Sequence, residues 1–162
     1  MSYQSVFRSD LFTNTVVLVT GGGSGIGRCT AHELASLGAR VILAGRRQDA
    51  LDAVAAEIIE DGGAADTAAM DIRDEDLVRA SVARIVASHG PVHGLVNNAG
   101  GQFPSPLANI SAKGFRAVVD TNLTGGFLVA REVFNQSMKE SGGAIVNITA
   151  DCHNGMPMMG HS

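Results

Sequence analysis

The stretch Thr20-Gly21-Gly22-Gly23-Ser24-Gly25-Ile26-Gly27 concentrates the residue types that can hold an anion. Before it runs Thr15-Val16-Val17-Leu18-Val19-Thr20, the β-branched apolar pattern of a strand buried on both faces. After it, Ile26, Thr30, Leu34 and Leu37 recur roughly a helical turn apart. The first amides of a helix lack intrahelical partners and sit at the positive end of its dipole, and glycine lets a phosphate come close to them. The spacing is G-x-x-x-G-x-G (Gly21, Gly25, Gly27) rather than the commoner G-x-G-x-x-G. Three glycines alone would also make a tight turn; the strand before and the helix after favour the phosphate reading. Gly21, Gly23, Ser24, Gly25, Ile26 and Gly27 are therefore candidate cofactor-binding residues.

The elements that must position this turn alternate along the chain. Gly38 stops the first helix, and Ala39-Arg40-Val41-Ile42-Leu43-Ala44 reads as a second buried strand. A helix is expected from Gln48 to Asp61, with Leu51, Val54, Ala55 and Ile58 on one face and Gly62-Gly63 ending it. Ala64 to Met70 is a weak third strand. Asp74-Glu75-Asp76 places negative charge in the first turn of a helix that runs to Ser88 through Leu77, Val78, Val82, Ile85 and Val86. Val92 to Asn97 is a fourth strand, and a loop follows to Ile110. A long helix entered through Ser111 extends from Ala112 to Glu140, with Arg131, Lys139 and Glu140 on a solvated face. Gly142-Gly143 stops it, and Ala144 to Thr149 is the fifth strand. This alternation requires parallel pairing and helices on both faces: an α/β, Rossmann-type doubly wound sheet.

With 162 residues the chain suits one domain with a real core. Apolar residues make up 45% and charged residues 17%, the balance of a packed globular chain. A net charge of −4 gives no footprint for nucleic acid or an anionic membrane. Cys29 and Cys152 lie far apart, which fits a reducing cytoplasm better than a disulfide framework. No run is long enough to span a bilayer. Cys152, His153 and His161 have no metal-ligand spacing, so no metal is expected.

The end of the second strand decides a chemical question. In dinucleotide folds an acidic residue roughly 20 positions beyond the glycine loop binds the adenosine ribose 2′-OH, whereas a basic residue there accommodates a 2′-phosphate. Here the strand ends Ala44-Gly45-Arg46-Arg47, with two guanidiniums and no carboxylate. Arg can grip a phosphate bidentately, so Arg46 and Arg47 favour NADP(H); the alternative is a solvated charge pair at a helix entry.

The glycine turn, Asn97-Asn98-Ala99-Gly100, Asn122 within Asp120-Thr121-Asn122-Leu123-Thr124-Gly125, and Ile145-Val146-Asn147-Ile148 together resemble the short-chain dehydrogenases/reductases, in that family's order and over essentially the whole chain. The resemblance implies a sheet order of 3-2-1-4-5 for these strands. It places Asp71 and Ile72 beside the adenine, Asn98, Ala99 and Gly100 along the cofactor cleft, and Asn122 in a proton relay. Two departures matter. Ala150 stands where most of the family has a catalytic serine, and Ser162 aligns with the catalytic tyrosine. A serine hydroxyl is far less acidic than a phenol, which weakens the case for ordinary acid–base chemistry at a ketone.

The loops Asn98 to Pro106 and Met156 to Ser162 resemble the trans-2-enoyl-CoA and 2,4-dienoyl-CoA reductases and their bacterial relatives. In conjugate reduction hydride reaches the β-carbon, charge gathers on the thioester oxygen, and the α-carbon is protonated. A donor near that oxygen can supply the electrostatic stabilisation. Ser162 is the leading candidate with Asn122 in support, and Asp151, near a tyrosine of the dienoyl-CoA reductases, is the weaker one. The expected substrate is a small molecule, an acyl-CoA. An apolar alcohol/aldehyde pair is the alternative, and a non-catalytic dinucleotide-binding or interaction protein is the alternative of another class. Met156, Met158 and Met159 are core fillers or an adaptable wall for an apolar chain. The family continues beyond the position of Ser162, so the sequence reads as a single dinucleotide-binding domain, residues 1–162, incomplete at its C-terminal end. Its fifth strand carries no charge or proline to protect an edge, and a homo-oligomer, dimer or tetramer, is expected.

Overall fold

The computed structural model describes residues 6–150 and Met158. Strands β1 (Val16–Thr20), β2 (Arg40–Gly45), β3 (Ala64–Ala69), β4 (Gly94–Asn97) and β5 (Ala144–Asn147) pair in parallel as one sheet, in the order β3-β2-β1-β4-β5. This is the expected Rossmann-like arrangement. Between the strands lie α1 (Gly25–Ser36), α2 (Gln48–Glu60) and α3 (Glu75–His89); α4 (Ala112–Val119), α5 (Gly125–Val133) and the short α6 (Lys139–Ser141) precede β5.

The alternation of side chains along each strand divides the core into two layers. Val17 and Val19 of β1, with Val41 and Leu43 of β2, pack under Ala31 and Ala35 of α1 and Leu51, Val54 and Ile58 of α2. Val16, Leu18 and Ile42 face the other way, against Val78, Val82 and Ile85 of α3 and Val129 and Val133 of α5. Leu18, Ile42, Leu43 and Leu95 are essentially inaccessible. Burying a side chain of that size contributes roughly 1.5–3 kcal/mol, and together they fix the strand positions on which the site depends. β3 has little apolar content of its own. It is held by its pairing to β2 and by an ion pair from Arg40 to Asp66 at 2.9 Å.

Several boundaries shift from those expected. Thr15 stays outside β1 because its hydroxyl donates to Phe12 O at 2.6 Å in a turn. β2 begins at Arg40 rather than Ala39, in register with Val16. β4 begins at Gly94, since the Val92 backbone is engaged by the Ser137 hydroxyl, accepting from Val92 N at 2.8 Å and donating to Val92 O at 3.2 Å. The anticipated stripe of α1 is buried only toward its C-terminal end, where Leu34 packs against the core and Leu37 is 2% exposed. Ile26 is 62% exposed, while Gly27, Ala31 and Ala35 pack on the sheet, where small residues allow a close approach. Arg131, about one-third exposed, pairs with Glu75 at 2.7 Å and Glu132 at 2.8 Å and lies 5.5 Å from the Phe127 ring centroid.

The helix caps follow the sequence. Asp74 accepts from Leu77 N at 3.0 Å, and Ser111 accepts from Gly114 N at 3.1 Å. The long helix after Ser111 runs through two wide turns, Asp120–Thr124 and Phe134–Met138, each of π type. Such turns mark places where a helix accommodates an extra residue, frequently at functional sites. β5 forms an edge of the described sheet, with Ile145 and Val146 40% and 51% exposed. Among the described residues no helix is long and apolar enough to cross a membrane.

Candidate functional site

A cleft of about 590 Å³ opens beyond the C-terminal ends of the strands. In the order β3-β2-β1-β4-β5 the chain reverses direction of winding between β1 and β4, the place where ligands bind in open α/β sheets. The turn from β1 to α1 supplies Gly21, Gly23, Ser24, Gly25 and Ile26; the end of β2 supplies Gly45, Arg46 and Arg47. Met70, Asp71, Ile72 and Arg73 come from the segment after β3, Asn98, Ala99 and Gly100 from that after β4, and Thr121 from the wide turn behind α4.

The β1–α1 turn is shaped by backbone rather than side chains. Gly21 and Gly25 adopt φ of +67° and +54°, in the left-handed region that glycine enters without a Cβ penalty. Arg28 N is the first amide to bond back, to Ser24 O at 3.1 Å, so the amides of Gly25, Ile26 and Gly27 have no intrahelical acceptor. Ser24 makes no side-chain cap, and the first turn holds no acidic residue. A Cβ built on Gly25 would meet nothing within 4 Å. These uncapped donors, in a turn whose Gly25 and Ile26 line the cleft, fit the diphosphate of a dinucleotide.

Thr20 ties the two central strands together at the floor of the cleft. Its buried hydroxyl accepts from Asn98 N and Ala99 N, both at 3.0 Å, and donates to Val96 O at 3.4 Å. Asn98 Nδ2 donates to Thr20 O at 3.0 Å, completing the clasp. Asn97 Nδ2 donates to Asn147 Oδ1 and to Gly126 O, both at 3.1 Å, joining β4, β5 and α5.

Charge in the cleft is uneven. Arg28, Arg40, Arg79 and Arg131 are each paired to a carboxylate of the chain. Among the described residues the guanidiniums of Arg46 and Arg47 make no hydrogen bond or ion pair, although the Arg47 carbonyl accepts from Leu51 N at 3.2 Å. Asp71 is held by Arg73, whose Nε donates to Oδ1 at 2.9 Å and whose backbone N–H donates to the same oxygen at 3.0 Å. The Arg73 guanidinium, aided by the charge of Arg46, pulls the Asp71 carboxyl down to about 2 against the opposing effect of partial burial. Asp71 is thus fully ionised at neutral pH.

Twelve of the anticipated cofactor residues meet in this cleft, namely Gly21, Gly23, Ser24, Gly25, Ile26, Arg46, Arg47, Asp71, Ile72, Asn98, Ala99 and Gly100. Gly27 does not line it. A Cβ there would lie 2.3 Å from Gly21 O and 2.5 Å from Asn98 Nδ2, so its glycine serves the approach of α1 to β1. Asn122 also stands outside the lining. Its amide accepts from Gly101 N at 2.8 Å and donates to Gly101 O at 2.9 Å, so both ends brace the loop after β4. Asp151 and Ser162 lie outside the described residues. The backbone carbonyl of Met158 accepts from Ser105 N–H, in the same loop. Sequence reasoning gave no role to Thr20, Arg73 or Thr121; a polar residue ending a buried strand was the available signal for Thr20.

The chain matches the model of the short chain dehydrogenase family over residues 15–160. It belongs to that family. A peroxisomal 2,4-dienoyl-CoA reductase of Danio rerio is 32% identical over 149 residues, covering 91% of this chain and 50% of the relative. A solved citronellol catabolism dehydrogenase of Pseudomonas aeruginosa PAO1 is 61% identical with a TM-score of 0.94, covering 98% of this chain and 65% of that one. The chain spans about half the length of the curated relatives it matches. An actinorhodin polyketide ketoreductase with NADPH (39% identical, TM-score 0.82, 86% of this chain and 55% of that one) and an NAD+-bound xylitol dehydrogenase (33%, 0.88, 93% and 58%) share the fold. Of these solved relatives, one was determined with NADPH and another with NAD+ bound.

Proposed function

We propose that the protein is an NADP(H)-dependent oxidoreductase that reduces the carbon–carbon double bond of an enoyl-CoA thioester. The observation that carries the reading is Ala150, three positions beyond the last paired residue of β5, where the family's serine would hydrogen-bond a carbonyl. A methyl group cannot, and conjugate reduction asks less of an acid than carbonyl reduction does. The kinship with a dienoyl-CoA reductase points the same way. The bound dinucleotide supplies the hydride. Gly21, Gly23, Ser24, Gly25 and Ile26 hold its diphosphate, Asp71 and Ile72 border the adenine, and Asn98, Ala99 and Gly100 line its path. Ser162 donates to the thioester oxygen, Asn122 keeps the adjoining loop in place, and the methionines near Met158 offer an adaptable wall to the acyl chain.

A second reading has its own support. The relative at 61% identity bears the name of a citronellol catabolism dehydrogenase, which favours an apolar alcohol/aldehyde pair. The test is a comparison of initial rates in the whole protein: NADPH consumption with crotonyl-CoA and longer enoyl-CoA esters, against NADP+ reduction with citronellol. Faster turnover of the thioesters is expected; turnover of the alcohol alone overturns the thioester reading. A cytoplasmic setting suits the exposed free thiol of Cys29. A homo-oligomer would cover Phe115, Phe127 and Phe134, each about half exposed.

The cofactor choice rests on Arg46 and Arg47. NADPH is expected to bind more tightly than NADH, and Arg46→Ala to narrow the gap by about 1.5–3 kcal/mol, the range for a hydrogen bond to a charged group. Calorimetric titration of both cofactors reads this. Equal affinities, or a gap untouched by the substitution, would remove the NADP assignment.

A further inference from the structure

Asp71 is an ionised carboxylate in the same cleft as Arg46 and Arg47, where the proposed function puts a 2′-phosphate. An unneutralised carboxylate there opposes that phosphate twice over. It repels the anion directly, and it competes for the guanidinium of Arg46, whose charge already acts on Asp71. The chain meets both problems with one residue. Arg73 clasps Asp71 through Nε at 2.9 Å, through Nη2, and through its backbone N–H at 3.0 Å, so both carboxylate oxygens are engaged. Arg73 itself lines the cleft and makes no other ion pair among the described residues. Its side chain is 41% exposed, so packing of the core does not explain its position.

We infer that Arg73 sets the preference for the 2′-phosphorylated cofactor by neutralising Asp71, leaving Arg46 and Arg47 free to bind the phosphate. This rests on the proposed NADP(H) reading. Arg73 acts through Asp71, as a positioning residue, and does not itself need to touch the nucleotide. Two consequences separate this role from a direct phosphate contact. Loss of the Arg73 charge weakens phosphate binding only while Asp71 is charged. Removing the Asp71 charge repairs the loss.

The experiment is calorimetric titration of the protein with adenosine 2′,5′-bisphosphate and with 5′-AMP, which differ only in the 2′-phosphate. The wild type is expected to favour the bisphosphate. Arg73→Gln should lower that preference, taken as the ratio of the two affinities, about three- to tenfold, the scale of one partly screened charge interaction, with circular dichroism and thermal unfolding as the control for folding. Arg73→Lys should retain most of the preference. Asp71→Asn/Arg73→Gln should return it to near the wild-type value. If the wild type favours the bisphosphate and Arg73→Gln leaves the preference unchanged, the inference fails and the NADP(H) reading stands. A loss in Arg73→Gln that Asp71→Asn does not repair equally overturns it. If the wild type does not distinguish the two nucleotides, the NADP(H) reading fails and the inference with it.

Discussion

Ser162→Ala in the whole protein is expected to lower kcat for an enoyl-CoA about a hundred- to a thousandfold, the usual loss on removing one oxyanion donor. During conjugate reduction the thioester oxygen gathers negative charge, and a fixed donor beside it lowers the barrier because the charge is greater in the transition state than in the ground state. Ala150 supplies no such donor, and Asp151 would repel the developing anion if ionised. Ser162, in the alignment position of the family's tyrosine, is left as the proposed donor. NADPH affinity should survive the substitution, since the nucleotide's proposed contacts lie on the β1–α1 turn, the end of β2 and the loops after β3 and β4. Asp151→Asn should do much less. Steady-state kinetics beside a cofactor titration separates the two roles; a silent Ser162→Ala with an inactive Asp151→Asn would exchange them.

The second large effect is expected at Gly27. A methyl group there would stand 2.3 Å from Gly21 O, a backbone atom, and 2.5 Å from the Asn98 side chain that clasps the strand ends. Neither neighbour can move without disturbing the turn that holds the phosphate. Overpacking of this kind costs about 1–3 kcal/mol, and the displaced amides should weaken dinucleotide binding at least about tenfold. Gly25→Ala is the contrasting case: its φ of +54° is strained for alanine, but a Cβ there meets nothing within 4 Å. Urea denaturation and NADPH titration of both variants read this. A Gly27→Ala protein as stable and as tight as the wild type would show that α1 can retreat from β1.

The features legible in the sequence are those set by local pattern. Buried runs such as Val16 to Val19 announce themselves through β-branched residues, glycines through the turns they permit, and Asp74 and Ser111 through the caps they make. The sheet order came from the family resemblance, and the structure agrees with it; the glycine turn and Arg46 and Arg47 were read from the residues themselves, and they line one cleft with the positions the resemblance added. What periodicity could not give was which face of α1 is buried. The stripe holds at Leu34 and Leu37 but not at Ile26, because close contact with the sheet selected Gly27, Ala31 and Ala35, small residues that let a helix descend. The Asp71–Arg73 clasp was equally hidden. The residues are neighbours in the sequence, but only the fold places Arg46 beside them. Asn122 was expected in a proton relay, but its amide spans the Gly101 backbone, a contact between a wide helical turn and a loop that no short-range pattern encodes.

The central claim is the bond that receives the hydride. The whole protein should be given crotonyl-CoA and NADPH deuterated at nicotinamide C4 in the transferring position, and the product examined by mass spectrometry and NMR. The account predicts a saturated thioester carrying the deuterium on its β-carbon. No label in any thioester product, together with deuterium on the carbinol carbon when citronellal replaces the thioester, would contradict it.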